Sequence, residues 1–252
     1  MVNGIAQKEL EQIIDIIVKD TFTRISIAYE LHKESDNNRA MSTPKKGESR
    51  LVFPSYYKNG EKNGTRISEQ ELRFAFVEAF NDYCDNHKET NLFYSIETPT
   101  QDTYSGFSKK PIINRKSGKG KGRSAEFDLV IYDQHLNRVC LIEFKANNAS
   151  KTDHDKDLLK LNNETEGREK DTLRYFIEVI KSYSETNEGK NDTIKSLREK
   201  FYVKSLKNRI KKDCKIDIGD FVKVYCYALE GCSNNPNGKK DISAKLLNTD
   251  LK

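Results

Sequence analysis

Between Ala125 and Asn147 the chain reads Ala-Glu-Phe-Asp-Leu-Val-Ile-Tyr-Asp, a short polar stretch, then Arg-Val-Cys-Leu-Ile-Glu-Phe-Lys-Ala-Asn. Both arms have strand length and are rich in β-branched and aromatic residues, and Asp133 to Asn137 supplies turn chemistry between them, which predicts a β-hairpin. Side chains alternate across a strand, so Asp128, Val130 and Tyr132 share one face, and on the second arm Val139, Leu141, Glu143 and Lys145 share one face. A four-residue loop at Gln134 to Asn137 would set Asp128 opposite Glu143 and Glu126 opposite Lys145. Directly opposed residues hold their Cβ atoms roughly 4.5 to 5.5 Å apart, and like charges placed so are destabilising. Two facing carboxylates therefore need a compensating charge. A divalent cation would supply it, since hard oxygen ligands suit Mg²⁺ or Mn²⁺, and Lys145 would point at the same spot. The competing reading is a solvated pair on a half-exposed strand. Leu141, Ile142 and Phe144 weigh against it, because a nearly continuous apolar arm reads as a strand buried on both faces, where charges are rarely idle.

The flanking segments organise around this hairpin. From about Gln7 to Lys33 the residues Leu10, Ile13, Ile14, Ile17, Ile25, Ala28 and Leu31 recur at three and four, which predicts one long amphipathic helix, or two joined near Thr21 to Thr23. Ser35 to Arg66, punctuated by Pro44, Gly47, Pro54, Gly60 and Gly64, reads as irregular, with a short strand at Leu51 to Phe53. Ser68-Glu69-Gln70-Glu71 is a capping box that opens a helix through about Tyr83. Leu92 to Thr98 is expected to form the first core strand, ended by Pro99, with Glu97 near its end a further candidate for the acidic cluster. After the hairpin, Asp153 to Leu161, with Asp157, Leu158 and Leu161, predicts a helix beginning on acidic residues that suit its N-terminal dipole. Leu173, Phe176, Ile177 and Ile180 predict a further helix, and Ile194 to Ile210 another. Phe221 to Leu229 reads as a buried strand, and the turn-rich tail from Gly231 as a short helix or disorder.

One stretch carries charge of a single sign. Lys109 to Arg123 contains Lys109, Lys110, Arg115, Lys116, Lys119, Lys121 and Arg123 without an acid, the last of them interleaved with Gly118, Gly120 and Gly122. A basic, Gly-rich loop leading into an acidic hairpin can neutralise phosphates beside it; the plain alternative is a solvated loop. Lys195 to Lys215 is a second basic stretch, read with more weight as a solvated helix face.

At Asp128 and Glu143-Phe144-Lys145 the sequence resembles the PD-(D/E)xK nuclease superfamily, whose signature is an acid on one core strand and acid-x-Lys on the next. Phe127 stands where the family's name has proline. The resemblance implies that Asp128 and Glu143 bind the catalytic divalent metal, Mg²⁺ or Mn²⁺, and that Lys145 positions the attacking water and stabilises the phosphorane charge. It also implies an additional acid from the helix before the hairpin, for which Glu78 in Phe-Val-Glu-Ala-Phe is the first candidate and Glu71, already accounted for by the capping box, the second. The implied fold is α/β: a mixed β-sheet flanked by helices, the restriction-endonuclease-like core, spanning residues 67–230. An N-terminal helix and irregular loop at 1–66 precede it and a C-terminal tail at 231–252 follows. The order helix, strand, hairpin, helix, helix, strand fits such a layered sheet.

The implied function is a metal-dependent endonuclease acting on nucleic acid, DNA favoured, in prokaryotic restriction or anti-phage defence. The alternative is a catalytically inactive subunit of the same fold that binds nucleic acid or a protein partner. Restriction-like enzymes often pair as homodimers, though no segment here marks a dimer surface. Composition narrows the remaining choices. No run approaches the roughly 18 apolar residues of a membrane span, and no basic-then-apolar signal pattern opens the chain, so a cytoplasmic protein is expected. The five cysteines are odd in number and include no Cys-x-x-Cys, and the four histidines are scattered, which argues against a disulfide framework or a zinc site.

Overall fold

The structure, a computed structural model of the 252-residue chain, describes residues 6–35, 49–65, 68–105, 112–114, 123–146, 151–167, 171–182, 222–230 and 245–247. Its elements are helix α1 (Gln7–Ser35), strands β1 (Ser55–Lys58) and β2 (Glu61–Thr65), helix α2 (Glu69–Asn86), and strands β3 (Phe93–Ser105), β4 (Ile112–Asn114), β5 (Arg123–Tyr132) and β6 (Arg138–Ala146). Helix α3 (Lys151–Leu161) and strands β7 (Leu173–Ser182), β8 (Val222–Glu230) and β9 (Lys245–Leu247) follow among the described residues. Among the described residues a seven-stranded sheet runs β4-β3-β5-β6-β7-β8-β9. Strands β3, β5 and β6 are antiparallel neighbours, whereas β6, β7 and β8 are parallel. The protein is thus a mixed-sheet α/β fold, and the expected hairpin, β5–β6, lies at its centre.

Alternation along the central strands sorts the core onto two faces. Leu129, Ile131, Ile142, Phe144, Tyr175 and Ile177 pack with Leu10, Ile14 and Ile17 of α1 and Leu72 and Phe76 of α2. The intervening residues Val130, Leu141 and Phe176 pack with Leu158 and Leu161 of α3. Helix α1 is one continuous helix rather than two. Thr21 and Thr23 lie inside it with their hydroxyls donating to the Ile17 and Lys19 carbonyls one turn back, at 2.7 and 3.1 Å. At the start of α2, Glu71 accepts the Ser68 N–H at 2.9 Å, the expected capping box. No helix among the described residues is long and apolar enough to cross a membrane.

Four local expectations are corrected. Leu173 to Ser182 is strand β7, not a helix. Residues 173–179 are buried throughout, and a run that is apolar at nearly every position shows three-and-four spacing by coincidence. The segment 51–53 is not a strand; instead β1 and β2 form a hairpin in which Lys58 pairs with Glu61. Asn59 and Gly60 make its turn at φ values of 55° and 83°, the left-handed pair that a two-residue turn demands. Strand β3 continues past Pro99, which sits where its register against β5 shifts, a place that tolerates a residue without an N–H. The C-terminal tail contributes the short strand β9, antiparallel to β8. The expected helix at 194–210 and the basic stretch at 195–215 lie outside the described residues.

The β5–β6 turn is one residue longer than expected. Tyr132 pairs with Arg138 but Ile131 pairs with Cys140, so Val139 is an extra residue in the second arm. Asp133 organises the turn, its carboxylate accepting the His135 and Asn137 N–H groups, each at 2.9 Å. The bulge cancels the longer turn, and Leu129 meets Ile142 as the four-residue loop would have had it.

The loop after α3 is fixed by two buried side chains. Arg174 of β7 donates to the carbonyls of Leu161, Asn163 and Glu166 at 2.6, 2.7 and 2.9 Å. Glu166 accepts the N–H groups of Gln101 and Asp102 and the Tyr104 hydroxyl at 2.7, 2.9 and 3.0 Å. These contacts hold the end of α3 against the sheet. Arg174→Met is expected to strand the three carbonyls and to lower stability by about 3 kcal/mol. Urea unfolding would read this as a lower midpoint at an unchanged slope, and a loss under about 0.5 kcal/mol, the size of an ordinary surface change, would contradict it.

Candidate active site

The charged residues of the hairpin meet a second set delivered by α2 and α3. Glu143 and Lys145 alternate with apolar residues along β6 and project with Leu141 toward α3, on which Asp157 and Lys160 lie one turn apart. Glu143 is only 1% exposed, and its Oε1 lies 2.6 Å from the Lys160 Nζ. That same Nζ lies 3.0 Å from Asp157 Oδ1 and donates to the Glu126 carbonyl at 2.7 Å. The other oxygen of Asp157 is 2.6 Å from the Lys145 Nζ, which also pairs with Glu69 of α2 at 3.2 Å. Asp128 completes the group. Its Oδ2 accepts the Phe144 N–H at 2.7 Å, and its Oδ1 accepts from Arg73 of α2 at 2.8 Å. Arg73 in turn reaches Glu97 at 3.2 Å. Beyond Leu129 and Ile142, the Asp128 side chain takes up an N–H of the facing strand.

Five carboxylates (Glu69, Glu97, Asp128, Glu143, Asp157) thus face three cations (Arg73, Lys145, Lys160), a formal charge of −2 with every group ionised. Glu69 and Glu97 are 40% and 60% exposed, so the three inner acids and the three cations balance, and the shifts of these groups reflect burial first and neighbouring charges second. Burial pushes the Glu143 carboxyl well above the ordinary range, and Asp157 and Asp128 add to this against the opposing pull of Lys160. Glu69 is raised by burial, with smaller contributions from Asp128 and Asp157 outside its contact with Lys145. Burial acts on Asp157 in the same direction, but Lys160 and Lys145 outweigh it and hold this carboxyl below its usual value. Burial disfavours the Lys145 ammonium, yet Asp157, Glu69 and Asp128 more than reverse that and raise its pKa.

Of the residues singled out by the sequence, Asp128, Glu143 and Lys145 are brought into one cluster. Glu78 is not. It lies on the opposite side of α2 from Glu69, because nine residues at about 100° each amount to half a turn beyond two full ones. There it sits 3.6 Å from Arg24 of α1, beside Asp82 at 2.6 Å from the same guanidinium. The acid that α2 contributes is Glu69, at the helix's first turn. Glu126 does not oppose Lys145 with its carboxylate; its backbone carbonyl faces Lys160 instead. Of the basic stretch, Arg123 begins β5, and Lys109, Lys110, Arg115, Lys116, Lys119 and Lys121 lie outside the described residues. The sequence reading missed Glu69, Arg73, Asp157 and Lys160 as site residues. For the last two a signal existed: Asp157-x-x-Lys160 places opposite charges on one helix face directly after an acid-x-Lys strand.

Among the described residues no three His, Cys, Asp or Glu side chains group as a ready-made metal site, because Arg and Lys side chains stand between the acids. The donor chemistry nevertheless fits a hard divalent cation. The oxygens of Asp128 and Glu143 are of the right type, and a cation between them would offset the burial of Glu143 and the repulsion that Asp157 and Asp128 add to it.

The fold and the cluster together define an α/β protein with a buried ionic centre on two adjoining core strands. The sequence matches no protein-family model and none of the curated proteins. Among solved structures it is similar to SfsA from Pyrococcus furiosus, determined in complex with Ca²⁺, at 14% sequence identity and a TM-score of 0.31, over 75% of this chain and 69% of that one. A likeness this loose transfers no residue from one chain to the other.

Proposed function

We propose that the protein is a divalent-metal-dependent nuclease that hydrolyses phosphodiester bonds. The observation that carries this reading is the convergence of Asp128 and Glu143 with Lys145 in a cluster that holds more carboxylates than cations. In it Asp128 and Glu143 hold Mg²⁺ or Mn²⁺. When bound, such an ion supplies Lewis-acid stabilisation of the phosphoryl oxygens and lowers the pKa of water. The chain's own groups do the rest. Lys145, whose pKa is raised by Asp157 and Glu69 against the effect of burial, is an ammonium at neutral pH. It therefore cannot serve as a general base, and its contribution is to donate hydrogen bonds to developing negative charge and to the attacking water. The basic residues between Lys109 and Arg123 would neutralise phosphates flanking the cleaved bond. DNA as substrate, and restriction or anti-phage defence as setting, follow from the resemblance alone.

A second reading is favoured by one observation: Arg73, Lys145 and Lys160 already pair with the acids. A subunit of this fold that binds nucleic acid without cleaving it would tolerate such an arrangement. The test is incubation of purified protein with supercoiled plasmid, linear duplex, single-stranded DNA and RNA in Mg²⁺, Mn²⁺ or EDTA. Cleavage in metal and none in EDTA is expected. Salt-dependent binding without cleavage in every metal would sink the nuclease reading in favour of the second.

A further inference from the structure

The Lys160 ammonium is coordinated as a metal ion would be. Three oxygens from three separate elements converge on its Nζ: Glu143 Oε1 of β6 at 2.6 Å, the Glu126 carbonyl of β5 at 2.7 Å and Asp157 Oδ1 of α3 at 3.0 Å. The Phe127 ring lies 5.7 Å away, within the range of a cation–π contact. Two carboxylates and a backbone carbonyl are the donors that Mg²⁺ and Ca²⁺ take. One of the three is a main-chain group in a core strand, so the cage does not depend on side-chain rotamers alone. Lys160 itself is 6% exposed, so its charge is directed into the cluster and not into solvent. Without that charge, five carboxylates would face only Arg73 and Lys145.

We propose that Lys160 is a built-in counter-ion seated in the oxygen cage of Glu143, Asp157 and the Glu126 carbonyl, and that a divalent cation binds this cluster in competition with its ammonium. The inference rests on the nuclease reading for the kind of cation, and it assigns Asp157 and the Glu126 carbonyl to the same centre. Lys160 then keeps the buried acids neutralised while no metal is bound, and the affinity for metal is set by how readily its ammonium yields.

The experiment is calorimetric titration of Mn²⁺ into wild-type protein and Lys160→Met, with thermal midpoints of both in EDTA and in Mn²⁺. Lys160→Met is expected to bind Mn²⁺ at least about tenfold more tightly, and its midpoint, lowered in EDTA, is expected to recover in Mn²⁺ by more than the wild type gains. The added affinity should disappear in the Glu143→Gln/Lys160→Met double variant, which tells this cage from any other metal-binding place on the chain. Affinity equal to or below wild type in Lys160→Met, or a gain that survives the double substitution, would overturn the proposal. Where Lys160→Met does not fold in EDTA, refolding that depends on Mn²⁺ supports it and refolding indifferent to Mn²⁺ overturns it. These readouts need no substrate. A protein that cleaves nothing yet gains Mn²⁺ affinity on losing Lys160 refutes the nuclease reading alone, whereas metal-dependent cleavage with no such gain refutes the counter-ion alone.

Discussion

Glu143→Gln is expected to reduce metal-dependent cleavage by about a thousandfold or more, equivalent to roughly 4 kcal/mol of lost transition-state stabilisation, while the variant keeps a native circular dichroism spectrum. Glutamine preserves the volume of a side chain that is 1% exposed and keeps an oxygen in place beside the Lys160 ammonium, so the fold has no reason to fail. What it loses is the charge that a hard cation requires. Asp128→Asn should act alike, because an asparagine oxygen can keep the Phe144 N–H that Asp128 now accepts. Glu78→Gln should leave cleavage near the wild-type rate, since Glu78 meets Arg24 between the two long helices. Wild-type activity in Glu143→Gln would remove Glu143 from the chemistry.

The same variant tests the electrostatics without substrate. Burial, then Asp157 and Asp128, raise the Glu143 carboxyl in the folded state, whereas in the unfolded chain it titrates near the ordinary value of about 4.3. The folded state therefore binds this proton more tightly. The associated stability is present at low pH and is lost as the pH rises from the unfolded value through the raised one. Glutamine has no such loss. In EDTA, the midpoint of Glu143→Gln relative to wild type should rise as the pH is taken from about 4 to 8; Glu69, also raised, is common to both proteins and cancels in the difference. A gap that stays flat over this range would contradict the raised carboxyl.

The centre of the fold was legible because strand alternation is a strong constraint. A charged residue at every second position of an apolar arm has only one face to occupy, and Asp128, Glu143 and Lys145 could be placed together before any helix was docked. Their partners were not legible in the same way. Arg73 and Glu69 lie on a helix whose phase against the sheet is set by Leu72 and Phe76 packing into the apolar face, and nothing in a capping box says which of its glutamates will look inward. Glu78, chosen for its apolar neighbours, points instead to Arg24 because α1 packs against that side of α2. The β7 segment was misread because burial on both faces erases the period of two that distinguishes a strand. The β1–β2 hairpin carries its own turn signal, Asn59-Gly60, but Pro44, Gly47, Pro54 and Gly64 around it give the whole segment an irregular pattern that hides two short strands. The bulge at Val139 leaves no mark in composition: a five-residue turn with a bulge and a four-residue turn without one give the same pairing further along the arms.

Asp157→Ala is expected to be among the most damaging single substitutions for stability, at about 3 kcal/mol. Asp157 offers one oxygen to each of two buried ammonium groups, Lys145 at 2.6 Å and Lys160 at 3.0 Å. Its own carboxyl is held below the usual range despite burial because both lysines favour its ionised form. Removing it leaves Lys145 with Glu69, which is 40% exposed, and Lys160 with Glu143, whose carboxyl is raised and so gives up its charge more readily. Breaking a buried ion pair from one side costs about 3 to 5 kcal/mol because a charge is left uncompensated, and the surviving contacts place this case at the lower end. The cost should fall when one of the stranded charges is removed as well. Asp157→Ala/Lys160→Met is therefore expected to be less destabilised than the two single losses added together, by about 1 kcal/mol or more in a double-mutant cycle from urea unfolding. Strict additivity would mean that Asp157 and Lys160 do not share charge across α3, and the central role given to that helix would fall with it.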